Sequence, residues 1–267
     1  MSIYKRDDMI QKGRFKLSKQ EQRAVLYAIS KIKPTDTHLT EYVFDIRELY
    51  RIIGWEKESY TEFKAMLLAL KSKSWWAEID DKGTESAVSW FSTVRVNKRT
   101  GKVTLKFHED MLPFLIQLTE QGEFYTFYNL KCVLPMSSKH SPRLYEILKS
   151  YQKNNREWFF ETDKLKRLMD SLSYKNFNDF KRFVLDPAVE EINKYTDLRI
   201  KYILQREGRR VARVHFLMDE KTISEKFKAD MAVDVALDGQ LNLFESDEIT
   251  RAKAEWLQER RTAKKGE

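Results

Sequence analysis

The sequence predicts an α+β fold in which one structural plan occurs twice, followed by a C-terminal tail. The first observation is the order of elements, which in each half is helix, short strand, helix, helix and hairpin. The second is that core-type side chains recur at a nearly constant spacing, which indicates an internal duplication. The recurring pairs lie 116 to 118 residues apart and are Tyr27 and Tyr145, Phe44 and Phe160, Leu49 and Leu165, and Phe63 and Phe180.

Length and composition set the broad class. A chain of 267 residues with 42% hydrophobic residues can form two small domains with buried cores. The 49 Lys and Arg residues outnumber the 41 Asp and Glu residues, and the net charge of +8 favours a polyanionic partner. Cys132 is the single cysteine, so an internal disulfide and a cysteine-based zinc site are excluded and a reducing cytosol is indicated. A charged N-terminus without a long apolar run predicts neither a secreted nor a membrane protein.

Apolar spacing and turn residues define the elements of the first half. In order, they are a helix after Ser18, a strand at 42–46, a helix through Leu49, a helix from Tyr60, strands at 75–79, 88–96 and 103–107, and turns at 80–83 and 97–101.

The second half repeats this order. Its elements are a helix from Ser141, a strand at 158–162, a helix through Leu165, a helix over 176–196, and strands at 198–203 and 211–218 around a turn at 206–210. Helix, strand, helix, helix and hairpin is the order of a winged helix-turn-helix, in which the last two helices form the helix-turn-helix and the hairpin is the wing. We therefore predict two tandem winged helix-turn-helix domains.

The 176–196 helix has the pattern of a helix that lies in the DNA major groove. Its apolar residues follow i+3 and i+4 steps, so one face packs on its own domain and the other offers hydrogen-bond donors to base edges and phosphates. Pro187 predicts a kink in this helix. We assign recognition to Lys175, Asn178, Lys181 and Arg182, with Lys181 nearest the apolar edge and at most a phosphate contact.

The predicted wing is strongly basic. Arg206, Arg209 and Arg210 lie at its tip with Arg213 close by, which suits contacts to the phosphate backbone or the minor groove. Two structural alternatives stay open at this point. The wing charge is also typical of a solvated turn, and the helix pattern is also typical of a core helix with a polar outer face.

The corresponding helix of the first half carries less charge. Lys64, Lys71 and Lys73 accompany an apolar stripe that includes Phe63, Leu67 and Leu70. This helix therefore suits packing or dimerisation more than base recognition.

Common catalytic motifs are absent. The sequence contains no GxxxxGK[ST] or GxGxxG loop for phosphates, no HExxH or HxH pair for a metal, and no GxSxG nucleophile elbow. We therefore expect no cofactor, no metal and no enzymatic activity. A DNA-nicking or recombining enzyme is the competing class, but Tyr125, Tyr128, Tyr145 and Tyr151 have no neighbouring metal-ligand or Arg/His cluster in the sequence.

Three stretches resemble the iteron-binding plasmid replication initiators of the bacterial Rep family, within residues 15–218. They are residues 16–23 (KLSKQEQR), residues 141–148 (SPRLYEIL) and residues 180–193 (FKRFVLDPAVEEIN), the last followed by Gly208-Arg209. The resemblance implies that the 180–193 helix lies in the major groove of directly repeated origin DNA, and that the first domain contacts the rest of the repeat or forms a dimer interface. It also implies monomers that act on origin repeats and dimers that repress their own promoter.

The C-terminal tail contains a second resemblance. Gln240, Leu241, Asn242, Leu243 and Phe244 resemble the QL[SD]LF peptide by which bacterial replication proteins dock on the sliding clamp, with Asn242 at a position that is usually Ser or Asp. The alternative is that its apolar residues cap the core of the second domain. The predicted boundaries are a first domain at 1–132, a second domain at 133–218 and a flexible tail at 219–267.

Together these features predict a cytoplasmic, DNA-associated bacterial initiator that binds double-stranded origin repeats, opens the origin and recruits host proteins. Its expected partners are the sliding clamp, the host replicative helicase or initiator, and a second copy of itself in a monomer–dimer equilibrium. A dedicated transcriptional repressor with the same fold is the alternative, and for it the tail motif would be superfluous.

Overall fold

The computed structural model describes residues 1–33, 36–55, 59–78, 82, 84–116, 118 and 125–237. In the first domain the helices are α1 (Asp7–Lys12), α2 (Lys19–Ile29), α3 (Ile46–Ile53), α4 (Tyr60–Ser72) and α5 (Leu112–Leu115), and the strands are β1 (Ser2–Arg6), β2 (Glu41–Asp45), β3 (Ser74–Glu78), β4 (Glu85–Ser89), β5 (Phe91–Asn97), β6 (Lys102–Phe107) and β7 (Tyr125–Asn129). Beyond them lie α6 (His140–Gln152), β8 (Glu157–Glu161), α7 (Thr162–Leu168), α8 (Phe177–Phe180), a π-helical turn (Lys181–Leu185), α9 (Asp186–Tyr195), β9 (Leu198–Glu207), β10 (Arg210–Glu220) and α10 (Ile223–Ala236).

The two halves share one sheet topology, and this confirms the predicted pair of winged-helix domains. Each has a three-stranded antiparallel sheet in which the early strand pairs with the last strand of the wing, in the orders β2-β6-β5 and β8-β10-β9. Phe44 lies opposite Val103 and Phe160 opposite Val214, so the repeated aromatic residues occupy the same place in the two sheets. All eight residues of the recurring pairs are buried.

Local signals explain where the first helices begin and end. At the start of α2 the Ser18 hydroxyl accepts a hydrogen bond from the Glu21 N–H, and the Glu21 carboxylate accepts one from the Ser18 N–H. Asp45 caps α3 in a similar way, through the N–H groups of Arg47 and Glu48. Helix α3 ends at Gly54, whose φ of 73° is in the left-handed region that favours glycine.

The first domain contains one hairpin more than the second. The strand predicted at 88–96 is divided at Trp90, so that β4 pairs with β3 while β5 pairs with β6 to form the wing. Trp75 and Trp90 are both buried, with ring centroids 5.9 Å apart, and this contact joins the extra hairpin to the core.

Buried polar contacts join α6 to the N-terminal segment and to the sheet formed by β1 and β7. Lys5 Nζ lies 2.6 Å from Glu146 Oε1 with both side chains buried, and the Tyr128 hydroxyl donates to the same carboxylate. Arg143 donates to the carbonyl of Gly13 at 2.7 Å, and burial lowers the pKa of this guanidinium to about 10. The N-terminal segment is therefore tied to α6 by buried charged side chains.

The prediction of a flexible tail from residue 219 is wrong for its first part. Strand β10 extends to Glu220, and α10 then packs against α9. Thr222 and Glu225 form a capping box at its start, and Ala229, Val233 and Leu237 are buried. Residues 238–267, with the clamp-like motif at 240–244, lie outside the described residues.

Candidate nucleic-acid interface

The helix predicted at 176–196 is observed as one continuous helical segment from Phe177 to Tyr195 with a π-turn in its middle. Pro187 has no N–H group and cannot donate to the carbonyl four residues earlier, and the wider π-turn directly before α9 accommodates it. Within the turn the Asp186 N–H donates to the Lys181 carbonyl. The predicted irregularity is therefore present, in the form of a π-turn.

One face of this helix is fully packed and the other is open at its N-terminal end. Phe180, Val184, Ala188 and Ile192 are buried, whereas Asn178 and Arg182 are exposed. Lys175 is also exposed, directly before the helix. The structure therefore brings three of the four predicted recognition residues to one solvent-facing end of the helix.

Lys166 stabilises the turn between α7 and α8, which precedes this helix. Its Nζ donates to the Tyr174 carbonyl at 2.7 Å and lies 5.5 Å from the Phe180 ring centroid, although the side chain comes from α7. Burial lowers the pKa of Lys166, and the Asp163 carboxylate opposes that shift. Lys166 is buried and stabilises the helix-turn-helix, so it is not part of the exposed basic surface.

Lys181 is engaged within the domain. Its Nζ lies 2.6 Å from Asp186 Oδ2 and 6.0 Å from the Tyr202 ring centroid, and the Tyr202 hydroxyl donates to the same carboxylate. The hydrogen bond with Asp186 raises the pKa of Lys181. The position agrees with the predicted apolar edge, and a contact of Lys181 to DNA stays a prediction.

The wing of the second domain projects three arginines with different surroundings. Gly208 forms its tip with a φ of 59°, a conformation that glycine adopts without steric cost. Arg210 lies 2.6 Å from Asp163 of α7, which ties the wing to the helix-turn-helix. The side chains of Arg206 and Arg209 are exposed, and neither has a hydrogen-bond or ion-pair partner in the described part of the chain.

The first domain presents a similar but smaller basic surface. Lys64 and Lys71 are exposed on one flank of α4, beside the face that buries Phe63, Leu67 and Leu70, and Leu68 on the outer side is 65% exposed. Lys73 lies past the end of the helix and pairs with Glu21 at 2.5 Å. Lys73 therefore joins α4 to α2, and a DNA contact by it stays a prediction.

Three residues of this interface were not among the predicted ones. Lys98 at the tip of the first wing lies 5.4 Å from the Tyr60 ring centroid, and Lys64 approaches the same ring at 5.7 Å, so wing and helix converge there with exposed Arg99 beside them. In the second domain, exposed Phe183 stacks with Tyr174 beside Arg182, and such a ring can contact a thymine methyl group. The basic turn at 97–101 was a usable signal, since it matches the basic second wing.

No other chemistry is suggested by the described residues. In the part of the chain that the structure describes, no group of His, Cys, Asp and Glu side chains is placed to hold a metal ion. Among the same residues, no helix is long and apolar enough to cross a membrane. His140 is buried with Nδ1 2.8 Å from the Met169 carbonyl, and the Cys132 thiol lies 2.9 Å from the Asn129 carbonyl.

Comparisons with known proteins match this architecture. The relatives include the PI protein of Escherichia coli, 26% identical over 141 residues, which is 46% of this chain and 46% of that protein. A replication initiation protein of Escherichia coli is 29% identical over 114 residues, covering 40% of this chain and 34% of that protein. The matched region thus spans about half or less of these relatives.

A solved structure shares the fold. The crystal structure of Pi initiator protein in complex with iteron DNA has a TM-score of 0.64 and 18% identity, and the alignment covers 82% of this chain and 97% of that chain. Sequence models of two families also match, one described as Initiator Replication protein, WH1, over residues 2–149 and one as Initiator Rep protein, WH2, over residues 161–218. Because these two matches together cover most of the sequence, the chain belongs to the initiator replication protein family.

Proposed function

We propose that this protein is a plasmid replication initiator that binds directly repeated origin DNA through both winged-helix domains. The observation that carries the proposal is that each domain exposes cations on both its recognition helix and its wing. These cations are Lys175, Arg182, Arg206 and Arg209 in the second domain, and Lys64 and Lys98 in the first. The solved relative in complex with iteron DNA supports duplex repeats as the ligand.

The residues divide into two roles. Asn178 and Arg182, near the start of the recognition helix, offer side-chain donors and are assigned to base edges in the major groove. Lys175, Arg206 and Arg209 are assigned to phosphates, since charge at a helix start or a wing tip fixes position without reading sequence. Arg210 joins them when its exposed ion pair with Asp163 opens, which costs little in water.

Selection from a random DNA pool tests this function. The full chain is expected to retain one long motif that spans about two groove contacts, and Arg182→Ala is expected to lose selectivity within it while still binding DNA. Lys194→Ala is the matched control, because Lys194 is an exposed cation at the other end of the same helix. Failure to recover any motif, with Arg182→Ala and wild type binding alike, would refute sequence-specific recognition.

A plasmid replication assay distinguishes an initiator from a protein that only represses transcription. A plasmid that carries the selected repeats should replicate only when the wild-type protein is supplied, and Arg182→Ala should not support it. The alternative function, a dedicated repressor, predicts promoter silencing without replication. We propose both activities for this chain, with monomers on the repeats and dimers on its own promoter.

The clamp and helicase contacts are further parts of the proposal. A peptide of residues 238–248 is expected to bind the bacterial sliding clamp through Leu243 and Phe244, which supply the apolar contacts, and Gln240, which supplies the polar one. Replacing Leu243 and Phe244 by Ala should abolish that binding. We also propose that the protein recruits the host helicase or initiator in the cytoplasm, where the plasmid is replicated. A pull-down from cell extract with the origin-bound protein tests this recruitment.

We propose that the protein acts without nucleotide, metal or strand cleavage. The sequence has no phosphate loop, and among the residues that the structure describes no group of side chains beside a tyrosine is placed to hold a metal ion. Incubation with supercoiled plasmid and magnesium should leave the plasmid uncut. Appearance of nicked circles that depends on the protein would place it among DNA-processing enzymes instead.

A further inference from the structure

The outward face of the sheet formed by β8, β10 and β9 is open to solvent and apolar at its centre. We call it the second-domain sheet face. It consists of three cross-strand rows, namely Glu157, Leu217 and Lys201, then Phe159, His215 and Ile203, then Glu161, Arg213 and Gln205. Phe159 is 48% exposed and Ile203 is 60% exposed, whereas alternate residues such as Phe160 and Val214 point into the core.

The central row is held in a defined arrangement. The Phe159 and His215 rings stack with centroids 5.3 Å apart, and the Arg213 guanidinium lies 5.2 Å from the Phe159 ring. His215 Nε2 lies 2.8 Å from Gln205 Oε1. An exposed apolar surface whose side chains are already ordered loses little conformational entropy when a partner covers it.

The two edges of this face carry opposite charge, and on the central strand Arg213 lies opposite Glu161. Glu157 and Glu161 lie on β8 and Lys201 on β9, and none of the three has an ion-pair partner within the described residues. The equivalent face of the first domain differs, because its acids have partners. Glu41 lies 2.6 Å from Arg95 there, and Asp45 lies 3.6 Å from Lys102.

We propose that the second-domain sheet face binds the same face of a second copy of this chain. A two-fold axis parallel to β10 lays β8 of each copy over β9 of the other, as in aligned sheet packing. Glu157 then faces Lys201 of the second copy, and the reciprocal pair forms as well. Phe159 faces Ile203 in the same way, so the apolar row is covered at both ends. The two Arg213 side chains meet near the axis, and each has Glu161 of its own sheet opposite it.

Charge also decides against another class of ligand. Stacked aromatic and basic side chains on a sheet can bind the bases of single-stranded nucleic acid. Here Phe159 lies between Glu157 and Glu161 on β8, whose carboxylates repel phosphate, and Arg213 beside the ring lies opposite Glu161. A protein surface with the opposite order of charge, which a second copy presents, is the better complement.

The contact belongs to the small class of interfaces, since nine side chains a copy bury less than about 1,200 Å² in total. It therefore acts where copies are already concentrated, as on repeated DNA, and that consequence rests on the proposed function. Association in the absence of DNA does not rest on it. A lack of self-association would leave DNA binding by the monomer untouched but would also remove the proposed dimer on the promoter. Binding of the repeats is therefore the readout that separates the two proposals.

Charge exchange tests the arrangement. Glu157→Lys and Lys201→Glu should each weaken self-association of the full chain by about tenfold in sedimentation velocity at high protein concentration. An equimolar mixture of the two variants should associate again, because both facing pairs are then of opposite charge. Glu41→Lys, at the equivalent position of the first domain, should leave self-association unchanged.

Cross-linking gives an independent measurement. The axis passes near His215, so His215→Cys in a Cys132→Ser background should be joined to a second copy by a short bis-maleimide, and Thr104→Cys, at the equivalent place in the first domain, should not. The proposal is overturned if the wild type stays monomeric at all concentrations, or if the mixed variants do not associate. It is also overturned if the single variants alter only the binding of a single-stranded oligonucleotide.

Discussion

The second wing allows the number of phosphate contacts to be counted, because its arginines differ in their partners. The Arg209 side chain is exposed and has no ion pair with any residue that the structure describes, whereas Arg210 lies 2.6 Å from Asp163. Each phosphate contact contributes about 0.9 to the slope of log affinity against log salt on duplex DNA. Arg209→Ala should therefore flatten the slope by about 0.9, and Asp163→Asn, which releases Arg210, should steepen it by up to the same amount.

The slope converts to a measurable difference in affinity. When the salt concentration rises from about 50 to 200 mM, a slope change of 0.9 changes the fold loss in DNA affinity by a factor of about 3.5. Fluorescence anisotropy with a random duplex and with the selected duplex, at four or more salt concentrations, gives the slopes directly. Arg209→Ala should weaken both duplexes equally, since a phosphate contact carries no sequence information.

Two results would refute this account of the wing. An unchanged slope for Arg209→Ala would mean that the wing tip does not touch DNA. A flatter salt dependence for Asp163→Asn would mean that the ion pair with Asp163 positions the wing for DNA binding. It would then not keep Arg210 away from a phosphate. Lys194→Ala, at the far end of the recognition helix, should keep the wild-type slope.

The remaining predictions concern the folded state. Glu146→Gln leaves buried Lys5 without its countercharge at 2.6 Å, so the free energy of unfolding in urea should fall by about 3 to 5 kcal/mol. Gly54→Ala puts a side chain at a φ of 73° and against the Arg23 guanidinium, so it should cost about 1 to 3 kcal/mol, seen as a lower Tm. Burial lowers the pKa of His140 below 6.5, so below that pH the unfolded state binds a proton that the folded state does not, and stability should fall as pH drops from about 7 to 5. The dependence should be flatter in His140→Asn.

Each of these has its own control. Adding Lys5→Met to Glu146→Gln should recover part of the loss, because the unpaired buried ammonium is then gone while buried Arg143 still lacks the Glu146 carboxylate. Gly101 also has a positive φ but open space around it, so Gly101→Ala should be the milder of the two glycine changes. An identical pH dependence in wild type and His140→Asn would show that other groups cause the acid sensitivity.

The plan of the two domains could be predicted from local patterns alone. Helical and strand spacing, the cap at Ser18 and the repeated aromatic residues at Phe44 and Phe160 are short-range properties, and they specify which faces are buried. The exposed positions of Asn178 and Arg182 follow from the same spacing. Helix α10 carried a comparable signal in Thr222 and Glu225, so its omission from the prediction was avoidable.

Tertiary structure decided whether each basic side chain is exposed or paired within the protein. Lys181 meets Tyr202 of the following strand, Lys73 meets Glu21 across more than fifty residues, and Arg210 meets Asp163 of another helix. Whether a basic residue is free for DNA depends on such distant carboxylates and rings, which spacing along the chain does not reveal. The sequence by itself determined two winged helices with a basic recognition helix and wing. Only the folded chain decided which charges stay on the surface and which hold its elements together, because ion pairing depends on distance in space.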